Sequence, residues 1–574
     1  MAALAALAVA AGVSSAARAG SSERVRPPLG VRGKPLPLAP PPTIQGFAPG
    51  SGPSGTTVTI HGTAFDGSTA VRFNGSPSSS VTVVSSTTVT AVVPDGAGTG
   101  PVSVQTSGGT ATSLASFVVM LSAPPPTTVP GHGTPLWMKW LPGAQASLAR
   151  AIAISPDGSR VFVTGYHSGI YGTVAYKASN GAQLWLKTYE PVSGPHDATA
   201  ITVSPDGSEV FVTGKSDVRP NPSDPQNYDY ATIAYRASDG TQLWVARYDD
   251  RANDVPVAIR VSPDGSKVFV TGTTDTLPGG SPHLVTVAYN TNTGAQLWVQ
   301  QYSTIPPTGT SLAASGLAVS PDSSTVYVGG WAYDQGIDDY VAIAYDTSNG
   351  SERWLAHWDG INHLGGEARA MALSPDGSTL YLTGDCRPPS GSSNFDYGTV
   401  AFSTAAGTQL WAATYDGPAH NGDEASAVTV SPDNSRVYVT GAVSVPGETP
   451  DGLRNYNLDF GTIAYTAADG TRLWVQLYNG PWSFDDGANA IAVSPNGAKV
   501  FVTGMSEAQQ TYGDLTTLSY DTKTGGGETW LQRFNGVNNL DDVGTGIVVS
   551  PDSSTVYVTG SNGRDGYETI AYSS

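Results

Sequence analysis

Residues Ala198–Tyr248 read ATAITVSPDGSEVFVTG, then a loop, then DYATIAYRASDGTQLWVARY. This stretch predicts four short strands, ATAITVS, EVFVTG, ATIAYR and QLWVARY, because β-branched and aromatic residues alternate between turn residues. Tight turns are expected at Ser204-Pro205-Asp206-Gly207 and Ser238-Asp239-Gly240. Similar units recur eight times along the chain. Four strands per unit at this period are typical of a propeller blade, so the stretch predicts an all-β propeller.

Three markers support the count of eight blades. The fourth strands each carry a tryptophan: Trp137, Trp185, Trp244, Trp298, Trp354, Trp411, Trp474 and Trp530. The first turns begin at Ser155, Ser204, Ser262, Ser320, Ser374, Ser431, Ser494 and Ser550. The third strands end in an aromatic residue: Tyr176, Tyr235, Tyr289, Tyr345, Phe402, Tyr465, Tyr520 and Tyr572. The series begins with a lone fourth strand and ends with a third strand, so we expect the Trp137 strand to pair with residues 569–572 and close an eight-bladed ring without an exposed edge.

The segment 41–120 has a different character, with many short alternating runs separated by Gly, Pro, Ser and Asn. This density of strands predicts a small β-sandwich. The segment resembles the IPT/TIG domain, an immunoglobulin-like fold, in Pro49-x-Ser51-Gly52, Gly55-Thr56-x-Val58-Thr59-Ile60-x-Gly62, Phe65, Val71-x-Phe73-Asn74-Gly75, Val93-Pro94 and Gly108-Gly109-Thr110. The resemblance implies a spacer or binding module and carries no catalytic residues.

The remaining segments are an apolar start and two proline-rich linkers. Residues 1–19 form a short Ala-rich run with an Ala17-Arg18-Ala19 cleavage pattern, which predicts a signal peptide, although no basic residue precedes the run. Residues 20–40 and 121–133 are rich in proline and favour extended linkers. No later stretch reaches the ~20 apolar residues of a membrane span. We therefore expect a secreted or cell-surface protein whose propeller occupies residues 134–574.

Composition limits the partners. The 574 residues carry 28 Lys and Arg against 47 Asp and Glu, a formal net charge of −19. Nucleic acid and anionic lipid are therefore not expected as partners, because both require clustered cations. Cations, basic proteins and neutral glycans remain open, and we expect a monomer. The single cysteine, Cys386, excludes an intramolecular disulfide.

The propeller segment also resembles known families. Its Gly-x-x-Leu-Trp strands resemble the tryptophan-docking motifs of eight-bladed quinoproteins of the PQQ type, and its Ser-Pro-Asp-Gly hairpins resemble those of bacterial surface propeller repeats. The likeness spans 134–574 and specifies the blade rather than a chemistry. A quinoprotein dehydrogenase would be expected to carry a vicinal cysteine pair, which the lone Cys386 cannot form. We therefore expect no PQQ and no other organic cofactor.

Strand direction sorts the loops into two faces. The Ser-Pro-Asp-Gly and Ser-Asp-Gly turns share one face, whereas the loops after the second strands and the connections between blades lie on the other. Binding is expected on that variable face. Acidic residues precede five third strands there: Asp229, Asp339, Asp396, Asp459 and Asp514. Others stand near the start of first strands: Asp197, Asp254, Glu367, Asp423, Glu424, Asp486 and Asp542.

This ring of carboxylates could hold Ca²⁺ or attract a basic partner. The alternative is that each aspartate accepts hydrogen bonds from its own blade. The two longest loops, 215–228 and 442–458, fall in the second and sixth blades, on opposite sides of an eight-bladed ring. Their Tyr228 and Tyr456 could offer stacking surfaces to a sugar or peptide, or the loops could be tolerated insertions.

The sequence contains no G-x-S-x-G or H-E-x-x-H motif, no EF-hand loop and no phosphate-binding glycine motif. The favoured hypothesis is a non-catalytic protein whose propeller binds a glycan or protein. The alternative is an extracellular lyase or glycosidase that uses acidic residues at the channel mouth, and a purely structural role is the third.

Overall fold

The structure is a computed structural model. It describes residues 39–52, 55–67, 70–78, 80–94, 97, 100–119, 133–143, 147–191, 194–217, 227–274, 282–303, 311–334, 336–361, 363–388, 394–447, 455–481, 484–508, 512–523, 525–536, 540–563 and 566–574. The predicted signal peptide and nearly all of both predicted linkers lie outside these residues.

The first unit is a sandwich of two sheets. One sheet has the order β1-β3-β7-β6 and the other β2-β9-β8-β4-β5. The strands are β1 (Thr43–Ala48), β2 (Ser51–Gly52), β3 (Thr57–Thr63), β4 (Ala70–Phe73), β5 (Ser76–Pro77), β6 (Val81–Ser85), β7 (Thr88–Val92), β8 (Gly100–Thr106) and β9 (Gly109–Val119). Alternate residues of β3 and β8 point inward, so that Val58, Ile60, Val102 and Val104 pack around Phe73 in one core.

The second unit consists of eight antiparallel four-stranded sheets within the described residues, which is consistent with the predicted number of blades. The first strands are β11 (Ser147–Ile154), β15 (His196–Val203), β19 (Asp254–Val261), β23 (Leu312–Val319), β27 (Gly366–Leu373), β31 (Glu424–Val430), β35 (Asp486–Val493) and β39 (Asp542–Val549). The second strands are β12 (Arg160–His167), β16 (Glu209–Asp217), β20 (Lys267–Thr274), β24 (Thr325–Asp334), β28 (Thr379–Cys386), β32 (Arg436–Pro446), β36 (Lys499–Ala508) and β40 (Thr555–Asn562).

The third strands are β13 (Ile170–Lys177), β17 (Tyr228–Arg236), β21 (His283–Asn290), β25 (Ile337–Asp346), β29 (Asp396–Ser403), β33 (Tyr456–Thr466), β37 (Tyr512–Asp521) and β41 (Gly566–Ser573). The fourth strands of blades 1 to 7 are β14 (Gln183–Tyr189), β18 (Gln242–Tyr248), β22 (Gln296–Tyr302), β26 (Glu352–Trp358), β30 (Gln409–Tyr415), β34 (Arg472–Tyr478) and β38 (Glu528–Phe534). Blade 8 takes its fourth strand, β10 (Pro135–Pro142), from the start of the propeller.

The ring closes through its two ends, as the sequence predicts. Strand β10 pairs antiparallel with β41, with Met138 opposite Ile570 and Trp140 opposite Glu568. The first strands of neighbouring blades lie side by side, and β11 of blade 1 lies against β39 of blade 8. The closing pair covers the outer edge of β41, and β10 takes the outer position that the fourth strand has in the other blades.

The fourth-strand tryptophans join each blade to the next. The ring of Trp185 in blade 1 lies 5.8 Å from the ring of Phe162 in the same blade and 6.1 Å from the ring of Tyr235 in blade 2, measured between ring centroids. Its Nε1 donates a hydrogen bond of 3.0 Å to the Ala237 carbonyl, and Gly240 leaves room for the indole. A Cβ at Gly240 would lie 2.7 Å from the ring, and the φ of +69° also favours glycine. The indole therefore fixes the spacing between blades.

The Ser-Pro-Asp-Gly turns have the predicted geometry, with the Gly158 amide donating to the Ser155 carbonyl at 2.8 Å. Three blades place another residue at the glycine position, and it keeps a positive φ: Ser323 (61°), Asn434 (58°) and Ser553 (62°). Each of these side chains accepts a hydrogen bond from the turn of the preceding blade, donated by the amides of Asp264, Asp376 and Asn496, respectively. The extra bond offsets the backbone strain that a positive φ causes in a residue other than glycine.

The two faces of the ring differ in regularity. On one face, every first turn has the same four-residue form. On the other, the hairpins between second and third strands rise to different heights: both strands have 8 residues in blade 1, 9 in blade 2, 10 in blade 4 and 11 in blade 6.

Among the described residues, no helix has the length and apolarity needed to cross a membrane.

Candidate functional site: carboxylates at the blade junctions

Both predicted series of aspartates lie at strand ends on the variable face, and all are buried. These aspartates are at most 9% exposed: Asp229, Asp339, Asp396, Asp459 and Asp514 on third strands, and Asp197, Asp254, Asp423, Asp486 and Asp542 at first strands. Of the two predicted glutamates, Glu367 is half-buried and Glu424 is exposed. The aspartates lie on this face because the third strand of each blade and the first strand of the following blade both begin there. Aspartates from two neighbouring blades therefore meet at each junction.

Two junctions bring three carboxylates together. At the junction of blades 2 and 3, Asp229 lies with Asp249 and Asp254. At the junction of blades 5 and 6, Asp396, Asp416 and Asp423 take the same three positions. In each group, one oxygen from every carboxylate lies within 4.8 Å of the others. The acidic residues thus form separate groups between blades.

The first-strand aspartates anchor the connection that precedes them. The Gly417 and Gly480 amides donate to Oδ2 of Asp423 and Asp486, each at 2.5 Å. The Gly536 amide donates to Asp542 in the same way. These donors lie in the connections between blades, whereas the alternative interpretation expected donors from the aspartate's own blade. Asp423 also has such a donor, the Ser444 amide at 2.6 Å. Burial nevertheless dominates, and it raises the pKa of Asp423 to about 6, that of Asp486 to about 7 and that of Asp542 to about 6.

Asp254 follows the same pattern with different donors. The Asp250 amide donates to its Oδ2 at 3.1 Å, and the Thr274 hydroxyl donates to its Oδ1 at 2.7 Å. Burial raises its pKa above the ordinary range despite these bonds.

Three of the third-strand aspartates have a basic partner on the fourth strand of their own blade. Asp229 accepts from Arg247 at 3.0 Å, and Asp514 accepts from Arg533 at 2.9 Å. Asp339 lies 3.6 Å from Nδ1 of His357.

In blades 5 and 6 the same fourth-strand position holds Thr414 and Leu477, which carry no charge. Burial, followed by the nearby Asp416 and Asp423, raises the pKa of Asp396 to about 6. Burial also raises the pKa of Asp459 well above the ordinary range. These two carboxylates therefore lack the internal cation that the repeat supplies elsewhere.

The two predicted tyrosines lie at the tops of the blade 2 and blade 6 hairpins, where the strands meet the two longest loops. Tyr228 pairs with Asp217, and its half-buried ring lies 5.2 Å below the Lys215 ammonium. Tyr456 pairs with Pro446 at the top of the blade 6 hairpin and is also half-buried. The loop tips 218–226 and 448–454 lie outside the described residues.

Sequence analysis missed Asp249 and Asp416, which complete the two groups. Each directly follows the last tyrosine of a fourth strand, and this repeated Tyr-Asp pair is the signal that could have revealed them. The role of Arg247 as a partner of Asp229 was also missed, because the register between strands three and four decides it. Inner-strand arginines were missed too: Arg150 pairs with Asp197 at 3.1 Å, and Arg369 pairs with Glu424 at 3.1 Å.

Two open concavities of about 420 Å³ lie on the other face, between the short turns. One lies between blades 6 and 7 beside Arg436 and Lys523, and the other lies between blades 4 and 5 beside Arg353 and Trp354. Neither contains a junction carboxylate.

Comparisons with known families agree with this architecture. Residues 42–119 match the family model of the IPT/TIG domain. Residues 127–383 match a PQQ-type repeat model described as outer membrane protein assembly factor BamB. These matches confirm the predicted resemblance to the IPT/TIG domain and, over residues 127–383, the predicted resemblance to PQQ-type repeats. A comparison with curated proteins gave no match.

Similar solved structures are propellers of low sequence identity. Sqt1 from Chaetomium thermophilum, bound to the N-terminus of the ribosomal protein L10, is 14% identical, with 77% of this chain and 100% of that chain covered and a TM-score of 0.48. The Dos1 propeller is 12% identical, with 77% and 95% covered and a TM-score of 0.48. Quinohemoprotein alcohol dehydrogenase from Comamonas testosteroni is 12% identical, with 75% and 76% covered and a TM-score of 0.44.

Proposed function

We propose that this chain is a secreted or cell-surface binding protein whose propeller presents its variable face to a glycan or protein ligand, without catalysis. The observation that carries the proposal is the contrast between the two faces. One face repeats the same turn, whereas the other bears hairpins of 8 to 11 residues per strand. Variation confined to one face of a rigid scaffold is typical of a recognition surface.

The chemistry of the variable face suits such ligands. Tyr228 and Tyr456 lie at the tops of the blade 2 and blade 6 hairpins, beside the two longest loops, and offer ring surface for stacking on a sugar or peptide. The net charge of −19 favours neutral glycans and basic protein segments over acidic ones. Export is inferred from residues 1–19, which lie outside the described residues.

The arrangement of the carboxylates supports binding or scaffolding over catalysis. The two three-aspartate groups use equivalent positions at two junctions, and Asp229, Asp254 and Asp423 accept hydrogen bonds from backbone amides or side-chain donors. A glycosidase would instead be expected to have one asymmetric pocket in which two carboxylates flank a substrate.

The test uses the full-length protein, labelled and applied to an array of polysaccharide fragments and to an array of basic and acidic peptides. We expect binding to a restricted set of neutral glycans or basic peptides. Tyr228→Ser and Tyr456→Ser should each weaken that binding by about tenfold, because loss of an aromatic contact costs on the order of 1.4 kcal/mol.

The matched control is Lys523→Ala, an exposed residue in a turn on the opposite face. It should bind like the unchanged protein. Equal losses in all three variants, or binding that neither tyrosine variant alters, would refute a site on the variable face. Release of new reducing ends or unsaturated sugars from a bound polysaccharide would show catalysis and overturn the non-catalytic assignment.

A further inference from the structure

The Asp396 carboxylate has an unusual environment. The residue is 4% exposed, yet its carboxylate accepts no hydrogen bond among the described residues, and only burial and nearby charges affect its pKa. It points into the group formed with Asp416 and Asp423, where oxygens of all three lie within 4.8 Å. A buried carboxylate that accepts no hydrogen bond is costly, and the positive group that acts on Asp396 is the exposed imidazole of His420, which is already paired with Asp416. The geometry therefore favours a further positive partner inside the group.

Equivalent positions in other blades show what that partner usually is. In blades 2 and 7, an arginine on the fourth strand meets the third-strand aspartate at 3.0 and 2.9 Å, and in blade 4 a histidine lies 3.6 Å away. Blade 5 has Thr414 at this position. The repeat therefore normally supplies a cation from within the blade, and blade 5 has lost it.

The same junction also has an acidic residue directly after the fourth strand, which the two following junctions do not have. The residue after the fourth strand is Asp416 in blade 5, whereas blades 6 and 7 have Asn479 and Asn535 there. Blade 6, which also lacks a basic residue, provides Asn457 as a donor to Asp459 at 3.3 Å. Among the described residues, only the junction of blades 5 and 6 has three carboxylates with oxygens within 4.8 Å of one another and no basic fourth-strand residue.

We infer that Asp396, Asp416 and Asp423 bind one calcium ion between blades 5 and 6. Oxygens within 4.8 Å of one another can share a cation at Ca–O distances of roughly 2.3–2.6 Å. Asp423 keeps its amide bonds from Gly417 and Ser444, and His420 holds one oxygen of Asp416 at 2.6 Å. Water would complete the six to eight oxygen ligands that calcium prefers.

The ion would join blade 5, through Asp396, to the first strand of blade 6, through Asp423. Its role is to stabilise the junction, in the way that Arg247 neutralises Asp229 between blades 2 and 3. This inference does not depend on the proposed ligand-binding function.

The test is calorimetric titration of the EDTA-treated, full-length protein with calcium chloride at pH 7.5, combined with thermal unfolding at each calcium concentration. We expect one ion per chain with a dissociation constant of about 0.1–1 mM, the range of extracellular calcium modules. The unfolding midpoint should rise with calcium, because the ion binds only the folded state. No heat and no shift up to about 10 mM would overturn the inference and indicate that the carboxylates share protons instead.

Three variants locate the site. Asp416→Asn changes a side chain that is 43% exposed, so the fold should survive, and calcium affinity should fall at least about tenfold. The matched control, Asp249→Asn, changes the equivalent residue at the junction that Arg247 already serves, and it should bind calcium like the unchanged protein. Thr414→Arg restores the missing basic residue and should abolish the calcium-dependent rise while raising the calcium-free midpoint. Unchanged affinity in Asp416→Asn, or an equal loss in Asp249→Asn, would refute the assignment.

Discussion

The contact between each indole and the next blade can be tested at two adjacent glycines. Gly525 and Gly526 lie in the turn between the third and fourth strands of blade 7 and have φ of +82° and +83°. A Cβ at Gly525 would meet nothing within 4 Å, whereas a Cβ at Gly526 would lie 2.6 Å from Cδ2 of Trp474 in blade 6. The two positions therefore share the same backbone cost and differ in the tryptophan contact.

The magnitudes follow from these terms. Alanine at positive φ costs roughly 1–2 kcal/mol, and the loss of unfolded-state entropy returns about 0.4–1 kcal/mol. Gly525→Ala should therefore destabilise the propeller by about 1 kcal/mol. Gly526→Ala should cost about 1–3 kcal/mol more, because the indole or the turn must move.

The measurement is urea unfolding followed by tryptophan fluorescence, with comparison of midpoints at unchanged slope. Trp474→Leu combined with Gly526→Ala completes a double-mutant cycle, in which the extra cost of Gly526→Ala should disappear. Equal destabilisation by Gly525→Ala and Gly526→Ala would refute the claim that the indole controls the packing between blades.

Three further predictions concern acids and ring closure. Burial raises the pKa of Glu568 to about 8, so the folded state keeps a proton that the unfolded chain releases near pH 4.3, and the free energy of unfolding should fall as pH rises between these values. Urea midpoints measured from pH 5 to 9 should fall less in Glu568→Gln than in the unchanged protein. An equal fall in both proteins would contradict the assignment. Hydrogen bonds from Ser155 and Ser159 lower the pKa of Asp157 to about 2, so its contribution to the free energy of unfolding should persist above about pH 4 and disappear toward pH 2. In acid unfolding over that range, Asp157→Asn should lose less stability than the unchanged protein. An identical loss would contradict this role of Asp157. A chain starting at residue 147 lacks β10 and exposes the edge of β41, so light scattering should show that it associates. The control, a chain starting at residue 133, should behave like the full-length protein. A monodisperse chain starting at residue 147 would argue against closure of the β41 edge by β10.

The blades could be predicted from sequence because each carries several independent local signals. A proline-containing turn, a Leu-Trp strand and a third-strand aromatic residue recur in fixed order, and each follows from local chemistry. The pairing of β10 with β41 could be predicted by counting strands. The Trp137 strand is a fourth strand that no first three strands precede, and the Tyr572 strand is a third strand that no fourth strand follows.

The composition of the junction groups could not be predicted, because it depends on contacts between blades. Asp396 and Asp423 are separated by a whole fourth strand, and only the ring brings their oxygens together with Asp416. The partner of Asp229 depends on which fourth-strand residue faces it, and a one-residue shift in register would turn Arg247 away. Positions of aspartates were therefore predictable, but their ionic partners were not.

The hydrogen bonds accepted by Ser323, Asn434 and Ser553 link three pairs of blades at the turn face. Each of these residues reaches back to the turn before it, so blades 3 and 4, 5 and 6, and 7 and 8 are linked at the turn face by a contact in which glycine cannot take part. An exchange of whole two-blade units would preserve these links, whereas an exchange of single neighbouring blades would leave an acceptor on the wrong side. The two-blade unit is therefore the natural module for shortening, extending or recombining this propeller.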